Sequence, residues 1–176
     1  MFSLGEILNV TKVIGRLQKM ARPAIKFVKR IKRKIAKVYL GIGKGVTSNT
    51  FGHAFIYVEF LKIKTGGLYY DANPSPAGFR RIVAAGGANL RGLFRAGAVP
   101  GIVLPQPMSR AEAMKRGRLI PIAKLGIIGY VGWSGWIRGV GGDISYKFFA
   151  IPGGKSVSCY TWAGESALKA IAMSLL

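Results

Sequence analysis

Residues 51–60 read FGHAFIYVEF and are the clearest predicted β-strand in the sequence. Aromatic and β-branched side chains dominate it, as is typical of strands. The pair Gly66-Gly67 marks a turn, and residues 68–72 are predicted to return as a second strand. Asn73-Pro74 ends that strand, because proline cannot donate to a strand ladder. The pattern therefore predicts an antiparallel hairpin.

Beyond the hairpin, predicted helices and strands follow one another to the end of the chain. Ser109 and Glu112 fit a capping box at the start of a helical fragment. The predicted helices cover residues 79–85, 89–96, 109–116 and 158–176, the further strands cover 119–128 and 143–151, and the glycine-rich residues 126–142 are predicted to be a long loop or a mobile flap. Residues 45–176 are therefore expected to form an α+β domain in which an antiparallel sheet packs against helices.

Before the hairpin, residues 1–44 are predicted to form a basic amphipathic helical arm. Apolar residues recur every three or four positions over residues 13–38, which is the spacing of one helical face. No acidic residue occurs in residues 7–58, and the glycines at 41–43 are expected to end the arm in a flexible hinge. The alternative is a helix that packs its apolar stripe on the core and leaves its basic face in water. The residues expected to contact a polyanion are Lys26, Lys29, Arg30, Lys32, Arg33, Lys34 and Lys37.

The composition combines a core-forming chain with a large positive charge. Of 176 residues, 27 are Lys or Arg and 6 are Asp or Glu, which gives a formal net charge of +21. Hydrophobic residues make up 50% of the sequence, so a fully disordered polycation is excluded. The charge excess favours an anionic partner, which could be nucleic acid, cell wall or an acidic lipid surface.

The counts of cysteine and histidine limit the chemistry further. A single cysteine excludes a disulfide framework within the chain, and one cysteine with one histidine cannot close a four-ligand metal site, so no metal or cofactor is expected. No signal peptide is predicted, because Glu6 and Lys12 interrupt the N-terminal region. No transmembrane span is predicted either, because Pro121, Lys124 and several glycines interrupt the most apolar stretch. The sequence therefore does not assign the protein to a cellular compartment.

The only histidine and the only cysteine fall at positions suited to thiol chemistry. His53 is near the start of a predicted strand, and Cys159 is at the start of the predicted terminal helix. A helix N-terminus presents free amide donors and the positive end of the helix dipole, which favour the thiolate and can stabilise an oxyanion. An imidazole beside the sulfur would take the thiol proton and later protonate the leaving group. The positions therefore predict Cys159 as nucleophile and His53 as base.

Asp71 and Asn73 are the candidates for the residue that orients His53. With a connecting loop of moderate length, the hairpin places these two side chains opposite about Ile56 and Ala54, on one face of the sheet. A tighter turn would instead move Asp71 away from the histidine. Asp71 and Asn73 therefore both remain candidates for the residue that orients His53.

Three short motifs resemble the circularly permuted papain-like cysteine hydrolases. They are GHAFIY at residues 52–57, YDAN at residues 70–73 and SCYTWA at residues 158–163. In that group, as in the lecithin retinol acyltransferase relatives, a strand histidine precedes a helix-capping cysteine. The order His, Asp, Cys is also similar to that of adenovirus-type proteases.

The resemblance implies a permuted papain-like fold and catalysis through an acyl-enzyme. It would make Cys159 the nucleophile, His53 the base, and Asp71 or Asn73 the orienting residue. The chain has no clear glutamine in the role of the family's oxyanion donor, although Gln106 is available.

Simpler structural roles exist for the same residues. A lone cysteine among Val157, Tyr160 and Trp162 is often a small buried hydrophobe, and a lone histidine beside strand aromatics is often a hydrogen-bonded structural residue. The predicted function is a cysteine hydrolase that cleaves an amide or ester bond in peptide, peptidoglycan or lipid and is retained on an anionic polymer or membrane by its basic surface. The alternatives are a non-enzymatic polyanion-binding virion or nucleoid protein and a membrane-active basic protein.

Overall fold

The computed structural model of the protein describes residues 33–43, 52–62, 66–87, 90–140 and 144–176, together with positions 19, 22, 23 and 26. The chain divides into two compact units, Met1–Arg33 and Lys34–Leu176. In the first unit, the four isolated positions are helical and exposed. The strands and helices described below belong to the second unit.

Two antiparallel sheets form the framework of the second unit. The larger sheet consists of β1 (Ala36–Gly43), β2 (His53–Phe60), β3 (Gly67–Tyr70), β6 (Gln106–Met108) and β7 (Arg118–Leu125), in the order β6-β3-β2-β1-β7. The smaller sheet consists of β4 (Ala72–Pro74), β5 (Val99–Val103) and β8 (Ile144–Tyr146), in the order β4-β5-β8. The chain passes from the larger sheet to the smaller one between β3 and β4.

Five helices of this unit lie between and after the strands. They are α1 (Pro76–Ala84), α2 (Leu90–Ala96), α3 (Arg110–Arg116), α4 (Ile127–Val140) and α5 (Cys159–Met173). The predicted capping box at the start of α3 is confirmed, since Ser109 Oγ accepts from the Glu112 N–H at 3.2 Å while the Glu112 carboxylate accepts from the Ser109 N–H at 2.9 Å. The α+β class, with antiparallel sheets packed against helices, is confirmed.

The two faces of the larger sheet bury different side chains, because successive residues of a strand point to opposite sides. We call the first the aliphatic face. It is covered by α4 and α5, and its buried residues include Val38, Ala54, Ile56, Val58, Trp133, Ile137, Trp162, Ala163 and Ala167. We call the second the tyrosine face. It is covered by α3, and its buried residues are Tyr39, Phe55, Tyr57, Tyr69, Met108 and Ala113.

The prediction of a helical arm that reaches residue 44 is wrong at its C-terminal end, because Ala36–Gly43 form β1. This strand lies between β2 and β7 and pairs with both. Val38 and its neighbours fit a helical spacing and a strand alternation equally well, and two flanking strands decide in favour of the sheet. Gly41 is not part of a hinge. A side chain at this position would collide with the ring of Phe55 on the neighbouring strand.

The prediction of a loop or flap at residues 126–142 is also wrong, because α4 occupies most of this stretch. Glycine is a poor helix former, and its density here favoured a loop. Packing explains the helix. A Cβ on Gly129 would collide with the carbonyl oxygen of Met173 near the end of α5, so the glycine permits close approach of the two helices. Trp133, which is fully buried, also donates from Nε1 to a carbonyl oxygen of α5 at 2.9 Å.

The remaining predicted elements differ mainly in length. The strand predicted at residues 119–128 is β7, and the terminal helix predicted at residues 158–176 is α5. The strand predicted at residues 143–151 is present only as β8, which ends at Tyr146. None of the helices within the described ranges has both the length and the apolar character needed to cross a membrane.

Candidate active site

The hairpin of β2 and β3 brings His53 and Asp71 together at one end of the larger sheet. Ile56 pairs with Tyr70, so the register is shifted by one residue from the predicted pairing of Ile56 with Asp71. Continued by one residue, this register sets Asp71 opposite Phe55 and diagonal to His53 on the same face. His53 Nε2 lies 3.1 Å from Asp71 Oδ2. Asp71 therefore contacts the imidazole.

Asn73 does not occupy its predicted position opposite Ala54. The chain has crossed to the smaller sheet by this point, and Asn73 is an exposed residue of β4 that pairs with Ile102 of β5. Its side chain is hydrogen-bonded to Asp71. Asn73 can therefore help to orient His53 indirectly, by holding the carboxylate of Asp71.

Tyr69 completes the polar cluster around the imidazole. Its hydroxyl donates to Asp71 Oδ2 at 3.0 Å and lies 3.2 Å from His53 Nε2. The ring is buried on the tyrosine face. Sequence reasoning did not give Tyr69 a role, although a residue two positions before Asp71 in an extended chain shares its face.

Cys159 is the first residue of α5. The N-cap is Ser158, whose Oγ accepts from the Thr161 N–H at 3.2 Å while its own N–H donates to Thr161 Oγ1 at 2.8 Å. This reciprocal capping fixes the first turn of the helix and the direction of the cysteine side chain. Cys159 is partly exposed, so solvent reaches it.

The Cys159 sulfur is hydrogen-bonded to His53, and the backbone N–H groups of Ala54 and Tyr160 also bond to it. Because Nε2 of His53 is occupied by Asp71, Nδ1 is the ring nitrogen left to face the sulfur. The structure thus brings together the nucleophile, the base and one of the two orienting residues that the sequence analysis named. The side chains of His53 and Asp71 are 13% and 10% exposed, which leaves the cluster at the edge of the protein interior.

The electrostatics of the cluster favour a thiolate beside an imidazolium. Burial lowers the pKa of His53, but the hydrogen bonds with Asp71 and Cys159 outweigh burial and raise it from 6.5 to about 9. Burial raises the pKa of the Cys159 thiol, but the hydrogen bonds with His53 and the Ala54 N–H hold it below its ordinary value of 9.0. Burial also raises the pKa of Asp71, and hydrogen bonds from His53 and Asn73 bring it below 3.8. Opposite charges in contact stabilise each other in this way.

Tyr146 is a further polar group at the sulfur, and its side chain is hydrogen-bonded to Cys159. It is 7% exposed and belongs to the smaller sheet. Burial raises its pKa above 10.0, and the charges of Cys159 and Asp71 raise it further, so the hydroxyl stays protonated and can donate. No motif pointed to Tyr146, which is one of seven tyrosines in the sequence and lies in a strand of three residues.

The glutamine named in the sequence analysis is Gln106. It is an exposed residue of β6 and pairs with Tyr69 across the sheet. Gly52, by contrast, borders the site: a side chain there would collide with the hydroxyl of Tyr160, the residue after the cysteine. Tyr160 is 47% exposed and forms part of the rim.

The basic residues predicted to contact a polyanion are spread over both units of the chain. In the first unit, Lys26 is helical and exposed and Arg33 is exposed, while Lys29, Arg30 and Lys32 lie outside the described residues. In the second unit, Lys34 Nζ donates to the Ser174 carbonyl oxygen at 2.7 Å, and Lys37 Nζ lies 5.0 Å from the centre of the Tyr39 ring. The last two therefore have partners within their own unit.

Comparison with known proteins yields no relative: no family model, no curated protein and no solved structure matches the chain. Within the described ranges, no group of three or more His, Cys, Asp or Glu side chains is arranged to hold a metal ion. The chemistry of the site is therefore argued from its own residues. A partly exposed cysteine at a helix N-terminus, beside an imidazole that a carboxylate contacts, has the arrangement of a nucleophile with an adjacent proton donor.

Proposed function

We propose that the protein is a cysteine hydrolase that cleaves an amide or ester bond, with its elements in a permuted papain-like arrangement. The observation that carries this proposal is the hydrogen-bonded series Cys159, His53 and Asp71, formed by three separate parts of the chain. A buried structural cysteine needs neither an imidazole at its sulfur nor a carboxylate behind that imidazole. The substrate would be a peptide, peptidoglycan or a lipid.

In the first half of the reaction, the Cys159 thiolate attacks the carbonyl carbon of the substrate and forms a C–S bond. The carbonyl electron pair moves to oxygen, and the resulting oxyanion collapses as the bond to the amine or alcohol breaks. His53 gives its Nδ1 proton to that leaving group. The product on the enzyme is a thioester.

In the second half, His53, now neutral, takes a proton from water as the water attacks the thioester carbonyl. The C–S bond breaks, the acid leaves, and the sulfur is again a thiolate beside an imidazolium. Asp71 keeps the ring oriented through Nε2 and stabilises its positive charge in both halves.

Donors for the oxyanion are available at the sulfur. The backbone N–H groups of Ala54 and Tyr160 and the hydroxyl of Tyr146 are all hydrogen-bonded to Cys159. When the sulfur attacks the carbonyl carbon of the substrate, the carbonyl oxygen comes to lie next to the sulfur. Some of these groups can then donate to that oxygen instead of to the sulfur. Donors fixed in advance in this way stabilise a developing negative charge.

The proposal is tested with p-nitrophenyl acetate, a substrate for thiol hydrolases in general, and with peptide, peptidoglycan and phospholipid substrates. Cys159→Ala and His53→Ala are each expected to lower kcat/KM by about 10³-fold or more. Mass spectrometry should find the acetyl group on Cys159 of the wild type.

Ser145→Ala is the matched control, because Ser145 is an exposed residue of β8 next to Tyr146. It should keep wild-type activity. Circular dichroism and thermal unfolding establish that all variants are folded. A folded Cys159→Ala protein with undiminished activity would remove the proposal.

A second function, polyanion binding, is favoured by the net charge of +21. It is compatible with catalysis, since a basic surface can hold the enzyme on nucleic acid, cell wall or an anionic membrane. Binding of the Cys159→Ala protein to DNA, to RNA and to anionic vesicles should fall steeply as salt is added, because each phosphate contact releases a counterion. An affinity that does not change with salt would contradict it.

A further inference from the structure

A groove runs beside the candidate active site between β6 and α3. Its volume is about 420 Å³, and its lining residues are Gln106, Pro107, Met108, Glu112, Lys115 and Arg116. The groove lies on the tyrosine face, because Met108 belongs to the buried cluster of that face.

Arg116 links the groove to the cluster around His53. Its guanidinium carbon lies 4.9 Å from the centre of the Tyr69 ring. The Tyr69 hydroxyl is in turn 3.2 Å from His53 Nε2. Gln106, at the same end of the sheet, pairs with Tyr69. One aromatic side chain thus separates the basic end of the groove from the imidazole.

The charges in the groove favour an anion. Lys115 and Arg116 are both exposed. The carboxylate of Glu112 is engaged, since it accepts from the Ser109 N–H at 2.9 Å and from Ser109 Oγ at 2.6 Å. Against the one carboxylate of Glu112, these two cations leave the groove net positive. A guanidinium fits a carboxylate or a phosphate with two parallel hydrogen bonds.

We propose that this groove binds an anionic group of the substrate, a carboxylate or a phosphate, through Arg116 and Lys115. The inference rests on the proposed function and names its substrate class: esters or amides that carry a negative charge a few atoms from the scissile bond. The neighbouring basic residue Arg110 does not belong to this subsite. It is 3.6 Å from the carboxylate of Glu59 and 5.3 Å from the centre of the Tyr39 ring.

Two matched substrate pairs test the inference. On the acyl side, p-nitrophenyl hemiglutarate is compared with p-nitrophenyl valerate. On the leaving-group side, 4-acetoxybenzoate is compared with its methyl ester. In at least one pair the wild type should prefer the anionic member in kcat/KM, and Arg116→Gln should reduce that preference about tenfold or more, because a charge-assisted contact is lost. Lys115→Gln should reduce it less.

Arg80→Gln controls for the general attraction of a cationic protein. Arg80 is an exposed residue of α1, and its replacement changes the net charge by the same amount. The control should keep the wild-type preference. Competitive inhibition by glutarate and by inorganic phosphate then distinguishes a carboxylate from a phosphate as the natural group.

The outcomes separate this inference from the proposed function. If none of the four esters is turned over in a manner that depends on Cys159, the hydrolase proposal fails and the subsite fails with it. If turnover depends on Cys159 but both pairs react equally, or Arg116→Gln and Arg80→Gln change the preference alike, only the subsite is overturned. Iodoacetamide labelling of Cys159 in Arg116→Gln verifies that the nucleophile is intact.

Discussion

The aliphatic face and the tyrosine face of the larger sheet are built from alternate residues of the same strands, yet they carry different chemistry. The aliphatic face is closed by two helices, and its buried strand residues are mainly Ala, Val and Ile, with Tyr70 and Leu125 among them. On the tyrosine face, the hydroxyls of Tyr39, Tyr57 and Tyr69 reach Glu59, the Met108 carbonyl and Asp71, at 2.7, 3.4 and 3.0 Å respectively. One face supplies apolar burial, and the other supplies burial together with a row of hydrogen bonds.

The candidate active site lies where groups from both sides meet. His53 and Asp71 extend the tyrosine face, and the His53 ring stacks on Phe55 of that face with ring centres 6.2 Å apart. Cys159 comes from α5, which packs on the aliphatic face. Neither face alone holds both the sulfur and the imidazole. The sulfur and the imidazole meet because α5 begins at the end of the sheet.

The largest loss of activity among the remaining variants is expected for Tyr146→Phe. The change removes one hydroxyl at the Cys159 sulfur and leaves the ring that fills the core. If that hydroxyl donates to the oxyanion, kcat/KM for p-nitrophenyl acetate should fall about 10²- to 10³-fold. Alkylation by iodoacetamide should change far less, because that reaction forms no oxyanion.

Tyr57→Phe is the matched control on the tyrosine face. It also removes a buried hydroxyl, but the partner of that hydroxyl is the Met108 carbonyl. Hydrolysis should be unchanged. Equal losses in the two variants would mean that tyrosine hydroxyls act through general stability and that Tyr146 has no part in the reaction.

A smaller effect is expected from pH. Hydrolysis should rise with pH as Cys159 loses its proton, at a pH below the ordinary thiol value of 9.0. For an amide substrate, whose amine leaving group must be protonated, kcat/KM should then fall about tenfold per pH unit above about 9, where His53 loses the proton that it donates. Alkylation needs only the thiolate, so it should stay on a plateau above that pH.

His53→Ala gives a second test, in which the pH dependence of Cys159 alkylation is measured again. Without the imidazole, the alkylation midpoint should move up towards 9.0, because the hydrogen bond and the positive charge that lower the Cys159 pKa are gone. A midpoint that stays in place would show that the helix N-terminus and the backbone N–H groups activate the sulfur without His53. If the kcat/KM of the wild type for an amide substrate keeps rising above pH 9, the role of His53 as the acid is contradicted.

The hairpin and the start of α5 could be predicted because local signals there agree with one another. Aromatic and β-branched side chains and a glycine turn indicate the two strands around His53, and the predicted terminal helix places Cys159 at its start. The one-residue error in the register arose because the sequence between the two predicted strands carries no signal that fixes the type of turn. The predicted register sets Asp71 opposite Ile56, and the observed register, continued by one residue, sets it opposite Phe55. In the observed register Asp71 lies diagonal to His53 and contacts it.

Other parts depended on contacts that local patterns do not contain. Gly129 in α4 and Gly41 in β1 indicate a loop or hinge by themselves, and only their neighbours Met173 and Phe55 explain why glycine is needed. Tyr146 is a comparable case. Its place at the sulfur follows from the pairing of β8 with β5 in the smaller sheet, which joins segments distant in sequence.

The smallest effect is expected for Ile→Val changes, which alter apolar burial and should affect stability without affecting hydrolysis. Ile56→Val removes one methylene from the fully buried aliphatic face, and Ile42→Val removes the same group from a residue that is 44% exposed. Ile56→Val should lower the free energy of unfolding by about 0.5–1.5 kcal/mol, while Ile42→Val should change it by less than about 0.5 kcal/mol. Urea denaturation measures both, and hydrolysis per folded molecule should equal that of the wild type. A loss of activity in Ile56→Val without a loss of stability would show that the aliphatic face positions the catalytic groups directly, and the separation of the two faces would no longer hold.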